Sequence, residues 1–508
     1  MQSEAGGRHD GSVRFFDGVD AVRKARQTFD DAGFTLEAVT ERLGPHVFAH
    51  LAAGEVAPLV RATRAGDRLD ALARLFLVSE PVPLDDARAA LAPLTVDEWE
   101  AAGVVTIDGD SIRALITIRP LGGPDDQLVA HDMAGGSGTA GADHVLGISA
   151  STLALAGATI RRPIDAAFDL GTGCGIQALH AATHSRRVVA ADLNPRAVAM
   201  ATLTMELNGL ETVTVRHGDR FKPVPHEVFE LIVANPPFVI SPSRRYQFRD
   251  SGLPLDELCR SIVQSAPEHL AEGGHCQLLA SWAHIEGEDW RERLAGWFTG
   301  TGCDALVLER EALEPAAHAA SWLRQTERPE RWADEYDAWM AYDEKHHIEA
   351  VAFGLITMRK RATGEEWFRA ETAPQEFVMP CGDHLGAMFE LADFLETHPD
   401  EALLDVTLRV APDVELDERA RPEPGGWLVT QRQLHQTSGL CHAGDVDPGV
   451  AAIVGACDGR QRVSAILARA AAESDVDWSD MVAAALPIIR RLVEQAFLLP
   501  SGDTSADG

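Results

Sequence analysis

A chain of 508 residues is long enough for roughly two to four domains with real cores, and its formal net charge of −33 argues against bulk binding of nucleic acid, whose affinity comes mostly from neutralising phosphates. Hydrophobic content of 45% and charged content of 24% are those of an ordinary globular protein, and no apolar run is long enough to suggest a membrane span. The seven cysteines are scattered, odd in number and never spaced as CxxC, as expected of reduced thiols rather than a disulfide framework.

The opening stretch, "MQSEAGGRHDGSV", lacks the apolar core of a signal peptide, so the protein is expected in the cytoplasm. Residues 1–12 read as a disordered polar tail. Residues 13–125 read as a helical, winged-helix-like domain. Its segments "DAVRKARQTFDDAGF", "TLEAVTERL", "DRLDALARLFLVS", "PLDDARAAL" and "TVDEWEAAG" carry apolar residues at three- and four-residue spacing. A hairpin of Val104–Ile107 and Ser111–Ile118 follows, turning at Asp108-Gly109-Asp110.

Residues 126–370 alternate strands and helices. Strands are expected at Ala166–Leu170, Arg187–Asp192, Thr212–His217, Phe229–Asn235, His275–Ser281, Asp304–Glu309 and Glu349–Arg359. Helices are expected from Gly175, over Pro195–Asn208 and around Asp256–Leu270. This alternation predicts an α/β fold with a mostly parallel sheet, binding ligands at the carboxyl ends of its strands. Residues 371–500 read as an α+β, winged-helix-like C-terminal domain, and 501–508 as a tail. Cys381, His384, Cys441 and His442 could in principle supply four zinc ligands, but their spacing is not that of a zinc site. No metal is assigned.

Three features carry chemistry. Asp169-Leu170-Gly171-Thr172-Gly173-Cys174-Gly175 joins a strand to a helix, and its glycines let the backbone turn tightly and approach a ligand. A dinucleotide fingerprint would read G-x-G-x-x-G. This loop reads G-x-G-x-G, with an acid two residues ahead that would repel a pyrophosphate and suit an ammonium group, pointing to S-adenosylmethionine. Asp192, followed by Leu193, ends the next strand, where a carboxylate can take both ribose hydroxyls. Asp219, followed by Arg220, ends the third strand and is a candidate acceptor for an adenine amine. The fourth strand ends in Asn235-Pro236-Pro237-Phe238, a stiffened elbow with an amide before the bend and an aromatic ring after it. "SPSRRYQFRDSG" follows at once, and its Arg245, Tyr246 and Arg249 are candidate substrate-binding residues for a phosphate, a carboxylate or a stacked base.

With these residues the middle region resembles the class I S-adenosylmethionine-dependent methyltransferases, in the small-domain group bearing [Asn/Asp]-Pro-Pro-[Tyr/Phe]. The group includes release-factor glutamine N-methyltransferases and base N-methyltransferases of RNA and DNA. The resemblance covers roughly residues 143–360. It implies a Rossmann-like core, with the cofactor held by Asp169, Gly171, Thr172, Gly173, Gly175, Asp192, Leu193, Asp219, Arg220 and Asn235. Catalysis falls to Asn235, Pro236, Pro237 and Phe238. The segment "DHVLGISASTLALA", Asp143 to Ala156, matches more loosely the stretch that lines the cofactor's methionine end. Asn235 Oδ1 and the Pro236 carbonyl can accept both hydrogens of a planar NH₂ and favour its pyramidalisation.

A base of RNA or DNA is placed first as substrate, ahead of a glutamine-type amide of a protein or peptide, or a specialised metabolite. In the latter case the terminal regions could act as a lid and as the surface of a homodimer. The rival from another class is a non-catalytic, methyltransferase-like binding or regulatory protein. The intact elbow and acidic cofactor positions speak against it.

Overall fold

The computed structural model describes residues 14–123, 126–133 and 141–501, so the tails read at 1–12 and beyond 501 lie outside the described residues. Two compact units divide the chain: Met1–Leu155 with Arg162–Ala373, and Ala156–Arg161 with Pro374–Gly508.

The first unit is built on an eight-stranded sheet. Its strands are β1 (Ile164–Leu170), β2 (Ser185–Asp192), β3 (Val213–His217), β4 (Phe229–Ala234), β5 (Leu270–Ile285), β6 (Cys303–Leu313), β7 (Ile348–Lys360) and β8 (Phe368–Thr372). In space they run β8-β6-β7-β5-β4-β1-β2-β3. All pairings are parallel except those of β7, which lies antiparallel between β5 and β6. The near-continuous apolar run of β4 has Phe229, Leu231, Ile232, Val233 and Ala234 all buried, because helices cover both faces of a parallel sheet. The expected mostly parallel α/β core is the observed one.

Helices α1 (Ile176–Ala181), α2 (Pro195–Leu207) and α3 (Glu257–His269) fall where the alternation of strands and helices put them. Helix α2 begins on Asn194, whose side-chain oxygen accepts from the Arg196 backbone N–H, with Pro195 at the first helical position, a combination that stops the preceding strand and starts the helix.

Among the described residues, seven α-helices form the N-terminal part of this unit: Val19–Asp31, Leu36–Leu43, Val47–Ala52, Val56–Ala62, Arg68–Ala73, Leu84–Ala90 and Val96–Ala101. They close on an aromatic knot in which Trp99 meets Phe16 at 5.3 Å and Phe76 at 5.7 Å between ring centres. Beside them Val82–Pro83, Ser111–Ala114 and Val105–Asp108 make a three-stranded sheet with Ser111–Ala114 in the middle. The expected strand Ser111–Ile118 is in fact two. It breaks at Leu115, and Ile116–Gly122 pairs instead with Gln127–Asp132. That second hairpin is docked on α2, with Ala130 N donating to Thr204 Oγ1 at 3.0 Å and Leu128 N to Asn208 Oδ1 at 2.9 Å. The N-terminal helices and one face of the sheet consequently share a single hydrophobic core, running from Phe29 and Trp99 to Met200 and Leu203.

Two helices absent from the sequence expectation, α4 (Pro315–Thr326) and α5 (Trp332–Lys345), fill the connection between β6 and β7. Their signal was present: Trp332, Tyr336, Trp339 and Asp343 recur at helical spacing, and Trp339 and Asp343 are the buried ones.

The second unit contains helices Gly382–Thr397, Pro448–Gly455, Val463–Ser474 and Trp478–Glu494. They pack on a small sheet in which Thr407–Val410 lies between Asp458–Arg462 and Leu498–Pro500. A long hairpin, Val414–Glu423 with Gly426–Gln436, leaves most of its side chains exposed. No helix among the described residues is long and apolar enough to cross a membrane.

Candidate active site

Register brings the chemistry-bearing residues to one edge. Leu170 at the end of β1 pairs with Ala191 of β2 on one side and Ala234 of β4 on the other, and Asp192 pairs with His217 of β3. The glycine loop, Asp192, Asp219 and Asn235 therefore leave the sheet together. They do so around the place, between β1 and β4, where the strand order reverses, the position at which open α/β sheets bind their ligands.

The loop is held from below. Gly171 N and Thr172 N both donate to Ala191 O, at 2.9 and 3.0 Å. Gly175 caps α1 with φ of 89°, a left-handed conformation that glycine adopts without penalty. A Cβ there would also lie 2.7 Å from Met205 Cε and 3.3 Å from Ala201 Cα. Gly175→Ala is expected to cost about 2 kcal/mol or more from backbone strain and overpacking together, measured as a lower thermal midpoint; an unchanged midpoint would show that the loop relaxes freely.

Asp169 is 1% exposed. Its Oδ2 accepts from Thr172 Oγ1 at 2.6 Å and Ala178 N at 2.9 Å, while Oδ1 has no hydrogen-bond partner among the described residues. Burial pushes this carboxyl up to about 7, against the pull of the two donors. A cation placed beside Oδ1 would favour the ionised form that burial disfavours. Asp192 accepts Gly173 N on one oxygen and Asn194 N on the other, at 2.9 and 2.8 Å, and burial raises its carboxyl too. Each oxygen keeps a further lone pair. Leu193, next to it, is 59% exposed, an apolar surface uncovered at the site. Asp219 is held ionised chiefly by Lys222 and then Arg220, at 2.9 and 3.1 Å.

The segment Asp143 to Ala156 begins beside this loop. Asn194 Nδ2 donates to Asp143 O at 2.7 Å, and Gln177 Nε2 of α1 donates to Thr152 O at 2.8 Å. At the elbow Pro236 is buried, and Asn235, Pro237 and Phe238 are partly exposed. The Asn235 side chain makes no hydrogen bond among the described residues, so its carbonyl oxygen is available as an acceptor. The Phe238 ring rests on Phe353 of β7, with centres 5.3 Å apart.

The basic and aromatic loop after the elbow divides in a way its sequence does not foretell. Tyr246 and Arg249 are buried. The Tyr246 hydroxyl donates to Thr326 O at 3.0 Å, and Arg249 donates to Thr326 Oγ1 at 2.6 Å and to Asp250 Oδ1 at 2.7 Å. Arg245 pairs with Glu327 at 3.0 Å. The side chains of the candidate substrate residues Tyr246 and Arg249 clamp the loop to the end of α4, and a buried guanidinium is paired where it lies. In the second unit, His384 and His442 sit with ring centres 6.0 Å apart. No group of three or more His, Cys, Asp or Glu among the described residues is arranged to hold a metal ion.

Comparison with known proteins gives three family matches. Residues 151–294 match the model described as methyltransferase small domain, and residues 31–115 and 386–500 match two domains of unknown function, DUF7059 and DUF7782. The release factor glutamine methyltransferase of Geobacter sulfurreducens is 33% identical over 153 residues, which are 28% of this chain and 51% of that protein. The ribosomal protein uL3 glutamine methyltransferase of Bradyrhizobium diazoefficiens is 34% identical over 134 residues, 23% of this chain and 42% of that protein. The chain thus spans about half the length of the curated relatives it matches. Among solved structures, the YcgJ protein of Bacillus subtilis is 15% identical with a TM-score of 0.30, covering 42% of this chain and 99% of that one.

Proposed function

We propose, from the premise that residues 151–294 match the methyltransferase small domain, that this chain is an S-adenosylmethionine-dependent enzyme that transfers a methyl group to the carboxamide nitrogen of a glutamine-type side chain in a polypeptide. The observation that carries the reading is an unpartnered buried carboxylate oxygen on Asp169 near the end of β1 together with an unpartnered amide at Asn235 just past the end of the neighbouring strand β4, both at the carboxyl end of the sheet.

The residues present fit the cofactor. Asp169 Oδ1 suits its ammonium group, the remaining lone pairs of Asp192 its ribose hydroxyls, and Leu193 and Asp219 its adenine. When bound, S-adenosylmethionine supplies a methyl group on a positively charged sulfonium, a leaving group good enough to need no strong base. The chain's own task is to prepare the nitrogen. An amide lone pair is delocalised, and Asn235 Oδ1 with the Pro236 carbonyl can accept its two hydrogens, favouring the pyramidal transition state. The prolines fix φ, so both acceptors are held before substrate arrives. Phe238, backed by Phe353, orients the planar group by stacking. The surplus proton stays hydrogen-bonded at Asn235 Oδ1 until water takes it.

The sequence alone ranked a nucleobase ahead of a polypeptide amide. Both similar relatives are named for glutamine methylation of proteins, and a net charge of −33 opposes a polyanion; both support the polypeptide. Labelled S-adenosylmethionine with purified protein and cell extract, followed by mass spectrometry of peptides and nucleosides, tests this. Methyl on a glutamine amide nitrogen is expected. Label on a nucleoside, or on oxygen, sulfur or carbon, would overturn it.

The Asp169 carboxyl makes a second prediction. Its folded value of about 7 lies above the ordinary carboxylate value near 3.9. Between the two, the ligand-free fold keeps a proton that the unfolded chain has lost, so its stability falls as pH rises through that window. An ammonium ligand needs the ionised form. S-Adenosylhomocysteine should therefore bind more tightly by up to about tenfold per pH unit as pH rises towards 7, and level off above it. Calorimetry with Asp169→Asn should give weak binding without this slope; a flat profile in the wild type would remove Asp169 from the ammonium site.

A further inference from the structure

Of the arginines in "SPSRRYQFRDSG", Arg245 and Arg249 are committed to Glu327, Asp250 and Thr326, but Arg244 is not. It lines a cavity of about 200 Å³ with Ser241, Ser243, Tyr342, Lys345 and His346. Ser241, Ser243 and Arg244 come from the loop just past the elbow, and Tyr342, Lys345 and His346 from the end of α5. Arg244 and Lys345 are both exposed, and neither has an ion-pair partner among the described residues. Two uncompensated cations facing one cavity are notable in a chain of net charge −33, where carboxylates to neutralise them are plentiful.

A hydroxyl donor accompanies them. Tyr342 Oη already accepts the Leu255 backbone N–H at 2.9 Å, which leaves its own hydrogen to donate. Ser243 Oγ accepts Arg245 N at 3.2 Å, but its own hydrogen is directed at Asp250, so Ser243 shapes the loop and is not counted as a donor to the cavity. Arginine, lysine and one hydroxyl with a hydrogen to give form the donor set of a carboxylate or phosphate receptor. The loop that carries Arg244 is rigid, because Asp250 Oδ2 accepts the backbone N–H of Arg245 and Tyr246, at 3.0 and 3.1 Å.

We propose that this cavity binds a single carboxylate of the polypeptide substrate, an Asp or Glu side chain close in sequence to the methylated amide, and so selects which glutamines are modified. The anion-binding character rests on the cavity itself; that the anion belongs to a polypeptide rests on the function proposed above. A nucleic acid phosphate is the competing source. It is disfavoured because a polyanion would meet the whole acidic surface, whereas one carboxylate meets only the local cations.

Two experiments with the full chain separate these possibilities. First, ligand-observed NMR follows binding of N-acetylaspartate, inorganic phosphate and a short single-stranded RNA to the wild type and to Arg244→Ala/Lys345→Ala. Calorimetry with S-adenosylhomocysteine checks that the variant keeps its fold. Second, labelled S-adenosylmethionine is supplied with pentapeptides that carry a central Gln flanked at one position by Asp or by Asn.

The wild type should bind the carboxylate and favour the Asp peptides by about tenfold in kcat/KM, and the double variant should lose both effects. Carboxylate binding without any peptide methylation would keep the cavity assignment and sink the glutamine reading. Methylation with equal use of Asp and Asn peptides would keep the glutamine reading and sink the cavity's role. RNA binding that depends on Arg244 and Lys345, without a carboxylate effect, would overturn the proposal in favour of a nucleic acid.

Discussion

Asn235→Ala is expected to slow methyl transfer by about 10²- to 10³-fold, the cost of removing one preorganised acceptor or donor from a transition-state site, while S-adenosylhomocysteine binds within about twofold of the wild type. Asn235 comes directly after β4, whose Ala234 is locked between Leu170 of β1 and Leu278 of β5. The backbone before it is therefore fixed on both sides, and Pro236 and Pro237 stiffen the backbone after it. Since the Asn235 side chain has no partner among the described residues, its removal leaves nothing unsatisfied in the resting protein. The loss should appear where the substrate nitrogen gains positive charge, so kcat and kcat/KM fall together. Wild-type turnover in Asn235→Ala would show that the elbow is only a stiff turn carrying Phe238. Loss of cofactor affinity comparable to the loss in rate would move Asn235 from the substrate nitrogen to the cofactor.

Arg249→Met should destabilise the first unit by about 3–5 kcal/mol, the usual cost of stranding one member of a buried ion pair. Arg249 and Asp250 have side chains 1% and 0% exposed. The guanidinium stacks over Tyr246 and over Trp339 of α5, 5.1 and 5.7 Å from the ring centres, so the charge left on Asp250 would have no water to replace its partner. Arg249→Lys should fall in between, because an ammonium cannot span Asp250 and Thr326 as the planar fork does. Arg245→Ala should cost less, about 1–3 kcal/mol, because its guanidinium is 39% exposed and the Glu327 carboxylate it leaves, 3% exposed, keeps Arg331 at 3.6 Å. Thermal unfolding of the three variants checks the order. Equal midpoints for Arg249→Met and Arg245→Ala would show that the loop is not clamped through the buried pair.

Much of this site was legible in the chain because its signals are local. Three glycines with an acid ahead of them, a strand ending in Asp192 and a double proline after an apolar run each occupy a few consecutive residues. Strand-helix alternation then forces those turns to one edge of a parallel sheet. The fate of "SPSRRYQFRDSG" was not legible in this way. Whether an arginine is buried or free depends on what meets it from elsewhere: Arg249 finds Thr326, 77 residues on, and Arg245 finds Glu327, 82 residues on, while Arg244 meets Lys345 and His346 across a cavity. The second N-terminal hairpin is similar. Only residues 116–118 of it are read from the sequence, as the end of the strand Ser111–Ile118; the pairing of 116–122 with 127–132 is accompanied by docking on α2 through Thr204 and Asn208, far away in the chain. Local backbone chemistry thus determined where the glycine loop and the double-proline elbow stand. Long-range packing alone decided which of the charges beside them are buried struts and which are left to meet a ligand, because the energy of a charge is set by its surroundings and not by its neighbours in sequence.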